Sequence, residues 1–353
     1  MTDPALKSLA EVVQHNCNIS DARHGADYSL CVYLMKMREY YRWEKHLPYG
    51  ASLERGQVGD WLAAREQLWE ELEGEDLKPL PIGGRRFDPF DTDAINDRLA
   101  REGLVYSAGL GARAKPHFFL GDLECAQRAG GYAVFVAAGE YARDLAAPPA
   151  MTLGSSIFLR RESLRRMLWE KLESWRWSRP DNALGRAFAC YDFEGDLEES
   201  LEAMTDHEIR AVLLHEQGEY AAGECLGQEW NRMVLDLALT PAEIMARAVR
   251  DHLADCLVTL PGLAEMDEAA SLHFYVGNLT AMRKDVFPAL LSTYQRWWDQ
   301  AAAGTGDARV FAALAARGRG HWEQVAQGML ALYRGHGADA AHAIAALVSS
   351  RRM

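Results

Sequence analysis

The chain has 353 residues, of which 49% are hydrophobic and 25% are charged, and its formal net charge at pH 7 is −13. This composition predicts folded globular structure, with enough residues for one large core or two ordinary domains. The negative net charge repels phosphate backbones and anionic lipid headgroups, and no run approaches the roughly 20 apolar residues of a membrane span. We therefore expect neither nucleic acid nor a membrane among its partners.

The cysteines and the first residues indicate the compartment. The six cysteines are scattered without a CxxC pair, which argues against a thiolate zinc site or a redox dithiol. Reduced thiols are typical of cytoplasmic proteins. The opening residues, MTDPALKSLAEVVQHNC, include an early acidic residue and lack an apolar signal-peptide core. We expect a cytoplasmic protein without a processed leader.

Two helices are predicted at the start of the chain. Helical spacing of apolar residues covers Asp3 to Gln14, and Ser20 is a suitable N-cap for a second helix that ends before Pro48. The apolar stripe of this second helix is predicted to be buried, and it consists of Leu30, Cys31, Leu34, Met35, Met37 and Tyr41.

The second helix also carries three potential metal donors at spacings of three and four, namely His24, Asp27 and Cys31. A metal site on this face is one interpretation. The other is that the aspartate favours the helix dipole while the surrounding aromatic residues pack in a core.

Residues 16–45, NCNISDARHGADYSLCVYLMKMREYYRWEK, resemble an uncharacterised bacterial domain-of-unknown-function family. The later stretches LHEQGEY, VRDHLADCL and SLHFYVGNL are similar to it as well, so the resemblance extends over most of the chain. It implies no activity, cofactor or catalytic residue.

The middle of the chain combines helices with a small sheet. Helices are predicted from Glu54 to Glu75 and from Thr92 to Glu102. Between residues 104 and 160, the runs VYSAG, HFFLG, YAVFVAA and SSIFL predict three or four antiparallel strands. GLGARAK, residues 109–115, lacks the Gly-Lys-Ser/Thr ending of a phosphate loop, so we interpret it as a hairpin turn.

Four arginines, Arg160, Arg161, Arg165 and Arg166, begin the next predicted helix. They could bind an anion or an acidic partner. Glutamates at helical spacing favour instead a solvated face with salt bridges. The following SRPDN is the predicted boundary between an α+β unit, residues 1–178, and an all-helical unit, residues 179–353. The predicted fold is therefore mainly α, a helical bundle with a small antiparallel sheet in its N-terminal half.

The richest collection of His, Glu and Asp lies on two predicted helices, 205–226 and 240–259. A helical wheel places Glu216 inside the apolar face of the first helix, with His215 and Glu219 on its flank. A carboxylate on an apolar face must take a proton, bind a metal or pair with a base, because its desolvation costs several kcal/mol. Glu216 is therefore the leading candidate.

Other acids in this region have simpler explanations from the sequence. Glu208 follows Thr205 at the spacing of a capping box. Asp251 and Asp255 fall opposite the apolar side of the second helix and are expected mainly to face solvent. His252 lies at the edge of that apolar side and is better placed to meet Glu216.

Two functional hypotheses follow. The first is a metal-dependent enzyme in which Glu216 and Glu219 are catalytic and iron, manganese or zinc is bound; its candidate ligands are His215, Glu216, Glu219, His252, Asp255 and His273. The usual pair of Glu-x-x-His motifs is absent, which argues against a ferritin-like di-iron centre.

The second hypothesis is a non-catalytic helical interaction or assembly protein, for which a homo-oligomer is one expected form. In it the histidines bond to backbone, and Glu216 pairs with an arginine such as Arg250 or Arg283. A small molecule or a protein partner is compatible with the sequence, which specifies neither substrate nor reaction.

Overall fold

The structure, a computed structural model, describes residues 2–111 and 114–353. Its helices are α1 Asp3–His24, α2 Leu30–Glu44, α3 Arg55–Leu72, α4 Thr92–Leu99, α5 Arg161–Arg176, α6 Ala183–Phe188, α7 Leu197–Asp236, α8 Pro241–Ala254, α9 Leu260–Met266, α10 Ala269–Asn278, α11 Ala281–Val286, α12 Pro288–Ala302, α13 Arg309–His336 and α14 Ala341–Ser350. A π-helical turn, Asp255–Thr259, joins α8 to α9. The strands are β1 Leu80–Ile82, β2 Arg85–Phe87, β3 Leu104–Leu110, β4 Pro116–Ala129, β5 Tyr132–Arg143, β6 Ala150–Leu153 and β7 Ser156–Arg160. The prediction of a mainly helical fold with a small sheet is confirmed.

The chain divides into two compact units. The N-terminal unit comprises Met1–Ser174 and Asp192–Thr205, and the C-terminal unit comprises Trp175–Tyr191 and Asp206–Met353. The SRPDN stretch, predicted to be the boundary, lies within the first segment of the C-terminal unit.

The N-terminal unit is built on a five-stranded sheet in the order β3-β4-β5-β7-β6. The sequence predicted a wholly antiparallel sheet. In the structure β5 and β7 pair in parallel, so the sheet is mixed. A separate hairpin joins β1 to β2 through Gly83 and Gly84, whose φ angles of 56° and 76° suit glycine. This hairpin lies in a stretch that reveals no alternating apolar pattern. The predicted turn GLGARAK does connect the antiparallel β3 and β4, although residues 112 and 113 lie outside the described part.

Helix α1 packs on β4 and β5 and extends past its predicted end at Gln14. Ser20 is not an N-cap, because it lies inside α1, where its hydroxyl donates to the carbonyl of Pro116 at 2.6 Å. Asp21 is also buried and accepts a hydrogen bond from the N–H of Leu145 at 2.7 Å. The helix therefore buries polar residues against backbone groups, which an apolar pattern does not reveal.

The predicted buried stripe on α2 is only half correct. Met37 and Tyr41 are buried, with 1% and 6% of their surface exposed. Leu30, Leu34 and Met35, by contrast, are 71%, 45% and 38% exposed. The first turns of α2 thus present apolar side chains to solvent.

Among its described residues, the C-terminal unit contains helices joined by turns and no strand. Its core surrounds α13, which contributes Phe311, Leu314, Trp322 and Met329. Helix α7 is interrupted at Gly227, whose φ of 72° and ψ of −177° are not helical. In the described part of the chain, no helix is long and apolar enough to cross a bilayer.

Candidate functional site

The two helices singled out by the sequence contact each other at Gly218 of α7. A Cβ atom built on Gly218 would lie only 2.5 Å from the carbonyl oxygen of Ala254, at the end of α8. This close approach brings His215 and Glu219 of α7 beside Asp255, the first residue of the π-helical turn, and Arg250 of α8.

Asp255 is fully buried, so the expectation that it faces solvent is wrong. The helical wheel assumed one buried side for this segment. In the structure, α11, α13 and α14 all pack against α8, α13 also packs against the π-helical turn that begins at Asp255, and Arg283 of α11 pairs with Asp255 itself. The π-helical turn also departs from the 3.6-residue period on which the wheel depends, and such turns are frequent at functional sites.

Three cationic or titratable groups surround the Asp255 carboxylate. Arg283 forms a close ion pair with Oδ2, and His252 Nδ1 lies 3.3 Å from the same oxygen. His215 Nδ1 lies 3.6 Å from Oδ1. Burial alone would raise the pKa of Asp255, but the guanidinium of Arg283 and the imidazoles hold that pKa well below its usual range. Asp255 is thus an ionised carboxylate in the core.

The surroundings of His252 indicate a structural role. It is fully buried, and its ring stacks on Trp322 with 5.3 Å between centroids. Its second nitrogen, Nε2, lies 2.9 Å from the carbonyl oxygen of Arg283. Both nitrogens face acceptor oxygens, so both contacts are hydrogen bonds only when both nitrogens carry protons. His252 therefore fixes Asp255 and Arg283 rather than meeting solvent.

His215 is the accessible member of the cluster, with 30% of its side chain exposed. Burial lowers the pKa of His215, but Asp255 and Glu219 outweigh that effect and raise it to about 9. Glu219 lies one turn further along α7 and forms a close ion pair with Arg250. Burial and the repulsion of Asp251 raise the pKa of Glu219 to about 7 despite the attraction of Arg250. Two groups that titrate near neutral or mildly alkaline pH therefore adjoin each other.

Two candidates from the sequence take other positions. Glu216 is buried, as the wheel predicted, and its charge helps to raise the pKa of Glu219. His273 is also buried, with Nδ1 2.8 Å from the hydroxyl of Tyr294 and its ring against Trp298. Burial lowers the pKa of His273 to about 4, so it is a neutral aromatic core residue at pH 7.

The structure also corrects the interpretation of Glu208. Helix α7 begins at Leu197, so Thr205 lies inside it, and its hydroxyl donates to the carbonyl of Leu201 at 2.6 Å. Glu208 is therefore not part of a capping box. It is 1% exposed and accepts a hydrogen bond from Ser271 at 3.0 Å. Burial, with a contribution from Glu268, raises its pKa to about 8.

The described residues do not form a metal centre. Among residues 2–111 and 114–353, no group of three or more His, Cys, Asp or Glu side chains is arranged to hold a metal ion. In the alternative stripe, His24 Nδ1 lies 3.3 Å from Asp27, while Cys31 is exposed on α2. At Asp255 a guanidinium occupies the position next to the carboxylate that a cation would take.

Sequence reasoning missed a set of buried charges in the N-terminal unit. Lys115 Nζ lies 3.0 Å from Asp21, and His117 Nδ1 lies 3.0 Å from Asp144. A lysine beside a glycine-rich turn is ordinarily exposed. Only the polar residues of α1 could therefore have suggested that Lys115 pairs with Asp21.

The sequence suggested that the four arginines before and within α5 form one solvated face. The structure contradicts this interpretation. Arg160 and Arg166 are only 2% and 4% exposed. Arg160 forms a two-pronged ion pair with the Glu140 carboxylate, at 2.9 and 2.7 Å. Arg161 pairs with Glu202 and Glu124, and Arg165 pairs with Glu198, so these exposed partners come from outside α5.

These features define a protein of two compact units, α+β and all-helical, with an ionised Asp–His cluster in the helical unit. The chain belongs to the family of unknown function DUF6866. The model of the family's N-terminal domain matches residues 8–160, and that of its C-terminal domain matches residues 165–351. The resemblance to a domain-of-unknown-function family is thereby confirmed. Neither a curated protein nor a solved structure matches the chain.

Proposed function

We propose that the C-terminal unit is an enzyme that transfers protons on a small-molecule substrate, with His215 as the general acid or base. The observation that carries this proposal is the pairing of a partly exposed imidazole with a fully buried carboxylate, Asp255, which Arg283 and His252 hold in place. A buried carboxylate of this kind fixes the orientation of the imidazole and stabilises its protonated form.

The two titratable neighbours suit opposite roles. With a pKa of about 9, His215 carries a proton at pH 7 and can donate it. Glu219, with a pKa of about 7, is about half ionised at that pH and can accept one. An acid and a base on adjacent turns of one helix could act on the two ends of one reacting bond.

The metal-dependent version of the hypothesis receives no support from this geometry. His215, Glu216, Glu219, His252, Asp255 and His273 do not converge as a ligand set among the described residues. Asp255 interacts with Arg283 and two imidazoles instead. The proposal therefore contains no step on iron, manganese or zinc. The free cysteines, all six of them, support a cytoplasmic location for the enzyme.

The test combines a titration with a substrate screen. Imidazole NMR signals of the full chain, assigned with His215→Gln, should show a His215 pKa well above its usual value. Hydrolysis of nitrophenyl esters, phosphates and glycosides should then fall by about 10²- to 10⁴-fold in His215→Gln, the usual contribution of a general acid or base. His321→Gln is the matched control, since His321 is partly exposed and its ring contacts the backbone oxygen of Arg351 and the ring of Trp322. An ordinary His215 pKa together with no turnover would contradict the proposal.

One observation favours a second candidate, an interaction or assembly protein. The first turns of α2 expose Leu30, Leu34 and Met35, of which Leu30 and Leu34 lie one helical turn apart, and exposed apolar surface marks interaction sites. If the screen fails while light scattering shows a homo-oligomer that Leu34→Arg dissociates, this second candidate replaces the enzyme.

A further inference from the structure

A cavity of about 510 Å³ lies wholly within the N-terminal unit, between the end of α1, the start of α2 and the C-terminal half of α3. We call it the aromatic cavity, because three aromatic residues line it together with three glutamates, namely Tyr28, Tyr33, Trp69, Glu66, Glu70 and Glu73. Its volume is in the range of small-molecule sites, roughly 300–1,000 Å³. The chemistry of these side chains indicates what the cavity can hold.

Two of the aromatic rings are fixed in the cavity wall. Trp69 is only 6% exposed, and its indole nitrogen donates to Asn18 at 3.3 Å. The hydroxyl of Tyr33 on α2 donates to Oε1 of Glu66 on α3 at 3.0 Å. Burial and this hydrogen bond raise the pKa of Tyr33, so it keeps its proton at pH 7. Fixed aromatic rings bind apolar groups and attract cations to their faces.

The three glutamates follow one side of α3. Glu66, Glu70 and Glu73 are spaced by four and three residues, so their side chains are neighbours, and all three are exposed. Like charges at these spacings destabilise a helix unless a cation compensates them. The described residues that line the cavity include no lysine, arginine or histidine. Three negative charges therefore border the cavity without a positive charge among its lining residues.

Two lysines lie near the cavity but have partners within the chain. Lys115 Nζ lies 3.0 Å from Asp21, and Lys36 Nζ lies 3.9 Å from Glu170. The same two nitrogens lie 5.7 and 5.8 Å from the ring centroid of Tyr28. The ring of Tyr28 thus interacts with cations of the chain itself. Neither lysine neutralises the glutamates of the cavity.

One arginine also lies beside the cavity. Arg23 donates from Nε and Nη2 to the backbone oxygens of Glu73 and Glu75, at 3.0 and 2.5 Å. Its charge offsets one of the three lining carboxylates and leaves two. The adjoining acids Glu71, Glu75 and Asp76 add further negative charge. The potential at the cavity is therefore negative even when the neighbouring groups are counted.

Gly25 leaves space in front of the Trp69 ring. Its φ of −60° and ψ of −34° are ordinary helical values, so the backbone does not require glycine there. A Cβ atom built on Gly25 would lie 3.7 Å from Cζ3 of Trp69, and a longer side chain would occupy the cavity. Leu30 also lines the cavity and is 71% exposed. An apolar group bound against Trp69 would shield Leu30 from water.

We propose that the aromatic cavity binds a small organic amine in its protonated form, with the ammonium group at Glu70 and Glu73 and the apolar body against Trp69 and Leu30. A primary ammonium group has three N–H donors, which carboxylate oxygens accept strongly. Glu66 already accepts from Tyr33, so Glu70 and Glu73 are the leading acceptors. This site is independent of the acid–base cluster in the C-terminal unit.

The test measures binding of phenethylamine, spermidine and the neutral phenethyl alcohol to the full chain by calorimetry. At least one amine should bind saturably at one site per chain, and phenethyl alcohol should bind at least about 10-fold more weakly, since it lacks the charge. Tighter binding of phenethylamine would indicate an aromatic monoamine as the ligand, and tighter binding of spermidine a polyamine.

The first variant removes charge from the cavity. Glu70→Gln/Glu73→Gln should weaken amine binding by about 5- to 30-fold, because two exposed ion pairs are lost. The matched control is Glu71→Gln/Glu75→Gln, which removes two exposed charges that do not line the cavity. At about 0.15 M salt, where separated charges are largely screened, the control should change the affinity by less than about twofold.

The second variant fills the cavity without changing any charge. Gly25→Leu should weaken amine binding by about 10-fold or more, because its side chain takes the place of the ligand's apolar body. Gly59→Leu is the matched control, since Gly59 is an exposed residue of α3 with no atom within 4 Å of an added Cβ.

Circular dichroism checks that each variant folds, and the double glutamine variant decides the matter if Gly25→Leu does not fold. The proposal is overturned if neither amine binds saturably, or if phenethyl alcohol binds as tightly as the tighter amine. It is also overturned if either folded cavity variant binds the amine as tightly as its control.

Discussion

The two units differ in how their buried charged side chains are arranged. In the C-terminal unit a single carboxylate, Asp255, lies at the centre, and Arg283, His215 and His252 surround it. In the N-terminal unit buried charges lie instead in separate pairs, such as Arg160 with Glu140 and Lys115 with Asp21. Buried charge must be matched by charge or by hydrogen bonds. The comparison therefore separates one carboxylate that several partners share from a set of separate buried ion pairs.

The largest effect on stability is expected from removing the charge at the centre of the cluster around Asp255. Asp255→Asn removes the negative charge while keeping the shape, which leaves Arg283 buried beside a neutral amide. The free energy of unfolding should fall by about 3–5 kcal/mol, the cost of removing one partner of a buried pair. Urea unfolding followed by tryptophan fluorescence measures it.

Asp285→Asn is the control for this loss, because Asp285 pairs with Arg352 at 2.8 Å while both side chains are about half exposed. Its cost should stay within about 1 kcal/mol. Equal losses in the two variants would show that Asp255 is not the centre of a buried cluster.

A smaller effect is expected from separating the helices that carry the cluster. The Cβ of Gly218→Ala would lie 2.5 Å from the carbonyl oxygen of Ala254, so α7 and α8 must move apart, at a cost of about 1–3 kcal/mol. Gly223→Ala on the same helix meets no atom within 4 Å and should instead stabilise by about 0.5–1 kcal/mol through helix propensity. Thermal unfolding of both variants measures the contrast, and a shift of the same sign in both would contradict the close packing at Gly218.

The sequence predicts local features better than buried polar ones. The start of α8 is an example, since Thr240 accepts from the N–H of Glu243, and Glu243 accepts from the N–H of Leu239. The same spacing in Thr205 and Glu208 gave the wrong answer, because that pair lies inside a longer helix. A capping pattern is local, but whether a helix begins there depends on its neighbours.

The candidate site shows the same limit. Periodicity placed Glu216 inside an apolar face and His252 at the edge of one, and both are buried. It could not place Asp255, since the packing of three other helices against α8 decides that residue's burial. Nor could it find Arg143, because its side chain packs on Tyr40 and Trp43, which lie about 100 residues earlier in the sequence. Long-range contacts, and not local propensity, determine which charges are buried.

At pH 5 the smallest change is expected from Glu208→Gln, which probes a buried acid that lies beside Ser271 and Glu268. Because its folded pKa of about 8 lies above the ordinary value, the folded state keeps a proton that the unfolded state loses. Its contribution to stability therefore falls as pH rises from about 4.5 towards 8. Glutamine cannot ionise, so the free energy of unfolding of the variant should differ from that of the natural chain by less than about 1 kcal/mol at pH 5, and the variant should become the more stable protein towards pH 8.

The control is Glu229→Gln, because the Glu229 carboxylate pairs with Arg334 on the surface and its pKa is lowered. This variant should gain no stability at high pH. Urea unfolding from pH 5 to pH 8 gives both trends, and parallel profiles for Glu208→Gln and the natural chain would show that Glu208 ionises normally.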